Sequence, residues 1–148
     1  MKVCKEKFLM KNVCKSFNSK EIVLANISLT IDKGEFVSVV GPSGCGKSTI
    51  LRLLAGLCKP SAGKITFPLF PTPIEIGYVF QDPTLLPWAT VYENVALPYR
   101  IKNSLNAYHK KEISQMLEMV GLTNHQNYFP RELSGGMRMR VSIARALA

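Results

Sequence analysis

The sequence predicts an α/β fold, and three consecutive observations carry that prediction. The short apolar run Glu35-Phe36-Val37-Ser38-Val39-Val40 reads as a buried parallel strand. It leads straight into a glycine-rich loop, Gly41-Pro42-Ser43-Gly44-Cys45-Gly46-Lys47-Ser48-Thr49. Beyond the loop, Ile50, Leu53, Leu54 and Leu57 keep helical spacing, and Pro60 closes the segment. A strand, a glycine-rich loop and a helix follow one another in that order, as an α/β fold requires.

The remaining elements follow in chain order. Residues 7–13 and 22–31 read as strands; in the second, Ile27, Leu29 and Ile31 alternate with Ser28, Thr30 and Asp32, the pattern of a half-buried sheet. Asp32-Lys33-Gly34 is a turn. Residues 64–67 and 74–80 predict two further strands, with Ile74, Ile76, Tyr78 and Phe80 on one face. A polar, proline-broken loop comes next, through Gln81-Asp82-Pro83 to Leu86-Pro87-Trp88. Thr90-Val91-Tyr92-Glu93 is a capping box that opens a short helix ending near Pro98. A longer helix is predicted over about residues 106–120, with Ile113, Met116, Leu117 and Val120 as its apolar stripe and Gly121 as its stop. Leu133-Ser134-Gly135-Gly136 then opens an apolar, arginine-rich helix that runs to Ala148.

Composition narrows the function classes. With 148 residues, 47% of them apolar and 20% charged, the chain suits one domain with a sizeable core and does not suit a disordered tail. No apolar run approaches the ~18 residues of a spanning helix. The N-terminal apolar stretch, Phe8-Leu9-Met10, is too short for a secretory signal, so the cytoplasm is the expected compartment. The charge balance is 19 − 10 = +9, with Lys2, Lys5, Lys7, Lys11, Lys15 and Lys20 in the first twenty residues. No nucleic-acid-binding motif accompanies these lysines, so they read as a solvated basic edge and no nucleic acid partner is expected. Cys4, Cys14, Cys45 and Cys58 lack metal-site spacing and read as free thiols.

The chemistry lies in residues 41–48, which match GxxxxGK[ST]. The glycines allow the backbone to wrap an anion with its N–H groups turned inward. The helix that follows presents its positive end to the same anion. Lys47 is placed for the β- and γ-phosphates of a nucleotide and Ser48 for Mg²⁺. Cys45 sits inside the loop, where a small residue fits and where a helix N-terminus lowers a thiol pKa. Bound nucleotide is expected to shield it from alkylation.

Gln81 after an aromatic strand end, and Leu133-Ser134-Gly135-Gly136-Met137, complete an ordered series with that loop. From Lys47 to Gln81 is 81 − 47 = 34 positions, and from Gln81 to Leu133 is 133 − 81 = 52. The series resembles the ATP-binding subunit of ABC transporters over nearly the whole chain. The resemblance implies a P-loop NTPase fold of the ABC ATPase type, with a mixed β-sheet, helices and a helical subdomain. It divides the chain into a P-loop core over about 1–80, a Q-loop and helical subdomain with the signature over about 81–136, and the start of a return helix over 137–148.

Roles follow position by position. The resemblance implies that Phe17 stacks on adenine, that Gly41, Pro42, Ser43, Gly44, Cys45, Gly46, Lys47, Ser48 and Thr49 cradle ATP, and that Gln81 ligates Mg²⁺ together with Ser48. Ser134, Gly135 and Gly136 correspond to the signature, which contacts the γ-phosphate of ATP held by a second subunit. The implied partners are a homodimer or heterodimer of nucleotide-binding subunits, a membrane permease docked at the Q-loop region and, indirectly, a solute-binding protein. The implied location is the cytoplasmic face of the membrane. Leu85-Leu86-Pro87-Trp88 together with LSGGM is similar to the nitrate, sulfonate and taurine importer branch. Met137 departs from the family's usual glutamine. The Walker-B aspartate and catalytic glutamate that the family places further on are not among the 148 residues, and Asp82 and Glu93 stand in the wrong context to replace them. Lys47 and Gln81 contribute to a catalytic site that is therefore incomplete here. The expectation is a C-terminally truncated importer ATPase. The alternatives are a non-hydrolysing fragment or split-gene product, and a soluble ABC ATPase of DNA or translation.

Overall fold

The computed structural model describes residues 7–18, 21–67 and 75–148. Lys2, Cys4, Lys5, Lys20 and Ile74 lie outside the described residues. The chain divides into two compact units, one up to Glu75 and one from Ile76 onward. Residue 77 packs closely on the end of the last helix, within the second unit.

The first unit is built on a three-stranded antiparallel sheet in the order β2-β1-β3. β1 spans Lys7–Asn18, β2 Glu21–Asp32 and β3 Ala62–Thr66. Met10 faces Leu29 on one side and Ile65 on the other, which fixes the register through apolar pairs. The register breaks between Met10 and Val13, where Asn12 takes a left-handed φ of 50°. There the Asn12 N–H donates to Ser28 Oγ at 3.0 Å, and the Ser28 hydroxyl donates back to Asn12 Oδ1 at 3.1 Å. Helix α1, Lys47–Leu54, lays Leu53 into a core shared with Met10, Val13 and Leu24. Full burial of a leucine such as Leu53 contributes about 1.5–3 kcal/mol.

Three parts of the sequence reading are corrected, two in this unit and one at the start of the second. α1 stops at Leu54, short of Leu57, which stays more than half exposed. Gly56 at φ 70° terminates it: its N–H bonds Leu53 O at 3.1 Å, and Leu57 N–H bonds Arg52 O at 2.9 Å. Residues 35–40 do not form a strand. Phe36 is 94% and Val40 89% exposed, and no partner strand flanks them among the described residues. A parallel strand is buried only when both its faces are covered. Residues 75–80 are likewise without a ladder, and Ile76, Val79 and Phe80 are exposed.

The second unit is helical. α2 spans Val91–Val95, α3 Leu97–Ile101, α4 Ala107–Met119 and α5 Gly135–Leu147, with single 3₁₀ turns at Thr123–His125 and Pro130–Glu132. Val91, Val95, Tyr99, Ile113, Leu117, Leu122, Val141 and Ala144 form its core. The Thr90–Glu93 capping box is present, with reciprocal bonds of 3.2 and 2.9 Å. Pro98 does not end the helical stretch. It lies in the first turn of α3, where a missing N–H costs nothing, and the break falls at Ala96. α4 runs from an Asn106 cap to a glycine stop, with Gly121 at φ 67°. Among the described residues, no helix is long and apolar enough to cross a membrane.

Candidate functional site

Two anion-seeking features stand out, one in each unit. In the first, Gly44 and Gly46 take φ 81° and 95°, left-handed values that turn the chain around the loop. At Gly46 there is no room for a side chain either: a Cβ would lie 2.6 Å from Leu24 Cδ2 and 3.2 Å from Val23 O. Gly46 is also the N-cap of α1 and supplies no side-chain acceptor, so the first-turn N–H groups of the helix are left for a ligand. No acidic residue sits in that turn to compete for them.

Lys47 closes the loop on itself. Its ammonium donates to Gly41 O at 2.8 Å and Pro42 O at 2.6 Å, and lies 3.8 Å from Cys45 Sγ. These contacts hold a positive charge at the loop mouth beside free backbone donors, which suits a polyphosphate. Ser48 is exposed and Thr49 buried, so the hydroxyl of Ser48 is the one open to a cation or water. Ser43 and Cys45 are exposed on the loop. Phe17, near the end of β1, is 57% exposed, with Lys15 Nζ 4.9 Å from its ring centroid. It is an aromatic platform with a cation over it, not a core residue.

In the second unit, Ser134 is the N-cap of α5 and its Oγ accepts from Met137 N–H at 3.3 Å. The hydroxyl proton remains available to a ligand. Gly135 and Gly136, both exposed, open the first turn, where N–H groups have no helical partner. Met137 packs against the helical core. Gln81 is exposed at the head of the loop before α2.

Of the two acidic residues weighed as substitute bases, Glu93 is committed to structure. Its carboxylate accepts from Thr90 N–H and Oγ1 and pairs with Arg100 at 3.5 Å. The Thr90 backbone bond, opposed by some desolvation and assisted by the Thr90 hydroxyl and Arg100, holds its pKa below the ordinary value.

Three residues that shape the region gave no motif in the sequence. Asn94 is fully buried and stitches the loop before α2. Its Oδ1 accepts from Leu86 N–H at 2.8 Å, and its Nδ2 donates to the carbonyls of Leu86, Ala89 and Thr90 at 3.2, 3.0 and 2.9 Å. Arg145 on α5 donates to Thr84 O at 2.8 Å and Thr84 Oγ1 at 3.1 Å, and burial lowers its pKa from the ordinary value. Gly77 lies against the Ala146 backbone, where a Cβ would overlap the carbonyl oxygen. The only sequence signal for Asn94 is an amide between the core positions Val91 and Val95. For Arg145 it is a charge beside the buried Val141 and Ala144.

The chain is similar to known proteins in sequence and in fold. The family model described as "ABC transporter" matches residues 24–148. An uncharacterized ABC transporter ATP-binding protein of Methanocaldococcus jannaschii is 42% identical across 93% of this chain and 68% of its own length. A spermidine/putrescine import ATP-binding protein of Thermotoga maritima is 39% identical across 94% of this chain and 39% of its own. An aliphatic sulfonates import ATP-binding protein of Bacillus licheniformis is 42% identical across 86% and 50%. The chain thus spans half or less of these two import proteins. A solved dimer of an ATP-binding cassette, in a post-hydrolysis state with ADP and Pi, superimposes with a TM-score of 0.83. It is 37% identical, over 95% of this chain and 69% of that one. The chain therefore belongs to the ABC transporter family, with the P-loop NTPase fold of its ATP-binding cassettes.

Proposed function

We propose that the whole protein is the ATP-binding subunit of an ABC importer and couples ATP binding and hydrolysis to solute uptake. The observation that carries this reading is the loop 41–48, with two left-handed glycines, an uncapped helix start and the Lys47 ammonium at its mouth. The loop from Gly41 to Thr49 cradles the phosphates of ATP with the backbone N–H groups of its residues other than Pro42, which has none, and Lys47 moves from the carbonyls of Gly41 and Pro42 to the β- and γ-phosphates. Phe17 stacks on the base. Ser48 and Gln81 hold Mg²⁺, which neutralises phosphate charge when bound. Ser134, Gly135 and Gly136 donate to the γ-phosphate on a partner subunit, so two subunits assemble head to tail in a two-fold arrangement.

The exposed Trp88, 74% accessible at the tip of the loop after Gln81, supports a permease docking surface at the cytoplasmic face of the membrane. The solute reading rests on the Leu85–Trp88 segment and the likeness to a sulfonates import protein, and favours nitrate, sulfonate or taurine uptake. The likeness to a spermidine/putrescine import protein supports a polyamine instead. Uptake of labelled taurine against labelled putrescine by the intact transporter decides between them.

Two variants test the site assignment. Lys47→Ala removes the charge at the loop mouth and abolishes ATP binding. Ser134→Asp keeps the helix cap but places a negative charge where the γ-phosphate arrives, so ATP binds and no longer drives dimerisation. Equal ATP affinity and equal ATP-dependent dimer mass for both variants and wild type would refute the assignment.

A further inference from the structure

The last turn of α5 touches the Gln81 segment on both sides. Four residues before Gln81, Gly77 lies on the Ala146 backbone so closely that no Cβ fits. Three residues after it, Thr84 receives two bonds from the Arg145 guanidinium, at 2.8 and 3.1 Å. A bidentate, charged donor fixes direction as well as distance. Gln81 therefore sits mid-span on a short stretch whose two ends are fastened to adjacent residues of one helix.

The other end of that helix is the signature. Ser134 caps α5, and eleven positions separate it from Arg145, about 16 Å at 1.5 Å per residue. No proline or glycine interrupts residues 137–147, and Val141 and Ala144 are fully buried in the helical core. A helix of this kind moves as a body, not by bending.

We propose that Arg145 is a positioning residue that makes α5 a strut between the signature and the Gln81 segment. Engagement of a phosphate by Ser134–Gly136 is thereby passed to Gln81 and the loop that follows. This rests on the reading of Ser134–Gly136 as a γ-phosphate contact. The loop beyond Thr84 is fastened in turn to α2 by Asn94, so the displacement reaches Trp88.

The test uses the full-length protein, a non-hydrolysable ATP analogue with Mg²⁺, and amide hydrogen exchange over residues 78–86. Arg145→Met keeps the aliphatic stem and removes both donors. Arg145→Lys keeps one charged donor but not the fork. In the wild type, analogue binding slows exchange over 78–86 at least threefold. In Arg145→Met, analogue affinity stays within twofold of wild type and the slowing is lost, whereas Arg145→Lys keeps part of it. Exchange over 138–144 serves as the folding control. If Arg145→Met loosens that stretch, the comparison rests on Arg145→Lys, whose response must fall below the wild-type value. A response that persists in full without Arg145 overturns the strut, as does one that persists in Ser134→Asp, because it then arises on the Gln81 side alone. Absence of analogue binding by the wild type would instead overturn the P-loop reading itself.

Discussion

Asn94 offers the clearest quantitative consequence of the structure. Substitution by leucine keeps the approximate volume and removes every polar atom of the side chain. Not all of its partners are left stranded. Thr90 O still accepts from the Asn94 backbone N–H at 2.9 Å, and Leu86 O still accepts from Ala89 N–H at 3.2 Å. Leu86 N–H and Ala89 O lose the only partners they have among the described residues. A buried backbone group without a partner costs about 1–3 kcal/mol. Leu86 is half-buried and water reaches it, so its N–H belongs at the low end, whereas Ala89 is buried. The sum is about 2–4 kcal/mol. At about 2–4 °C per kcal/mol for a protein of this size or somewhat larger, Asn94→Leu lowers Tm by roughly 4–16 °C. Asn94→Asp is the sharper control. It keeps the acceptor for Leu86 N–H but turns the donor into a second acceptor facing three carbonyls, and so destabilises at least as much at neutral pH. Thermal unfolding by circular dichroism gives the shift, and hydrogen exchange at Leu86 gives its location. A Tm change under about 2 °C for Asn94→Leu, with unchanged exchange at Leu86, would refute the view that this amide holds the loop.

Two further outcomes follow from local geometry. Gly46→Ala forces a left-handed φ of 95° on a residue with a Cβ and drives it into Leu24 and Val23, at about 1–2 kcal/mol for the backbone alone; ATP affinity read by calorimetry drops at least tenfold, and retention of wild-type affinity contradicts the loop geometry. For Glu93, the folded pKa lies below the ordinary 4.5, so its stabilising effect is complete above about that pH and is lost as pH falls through the folded value. The stability gap between wild type and Glu93→Gln, measured by urea unfolding across pH, should therefore close below 4.5, and a gap constant with pH would refute the capping role.

The sequence made elements legible where one local rule decided the outcome. The capping box at Thr90, the glycine stop at Gly121 and the alternation of Ile27, Leu29 and Ile31 depend on neighbours within a few residues or on a single face, and all three are present. The turn of the loop 41–48 was legible for the same reason, since its geometry is written in the glycines that compose it. Residues 35–40 and 75–80 failed because a parallel strand is defined by what flanks it, and apolar content alone supplies no flank. Pro98 misled because proline stops a helix from its interior but starts one from its first turn, and the two cases read alike until Ala96 is seen to break the chain. Asn94 and Arg145 were invisible because their partners are mostly backbone groups of irregular segments, which carry no residue signature.

The signature shows how one residue serves fold and ligand together. An N-cap serine uses an oxygen lone pair to satisfy a first-turn N–H, and Ser134 does this for Met137. Its O–H bond is not consumed, so it can donate to a phosphate without uncapping α5. Gly135 and Gly136 add first-turn donors with no side chain between them and an approaching anion. The position that departs from the family pattern, Met137, belongs to the opposite side of this arrangement. Its side chain packs against the helical core, while its backbone N–H is the group that Ser134 caps. The substitution therefore exchanges a polar side chain for an apolar one at a place where apolar contact is available, and it leaves the donors of Ser134, Gly135 and Gly136 in position. On the proposed reading, the donors of a γ-phosphate contact are thus kept in LSGGM, on a helix that Arg145 ties to Thr84 and Val141 anchors in the core.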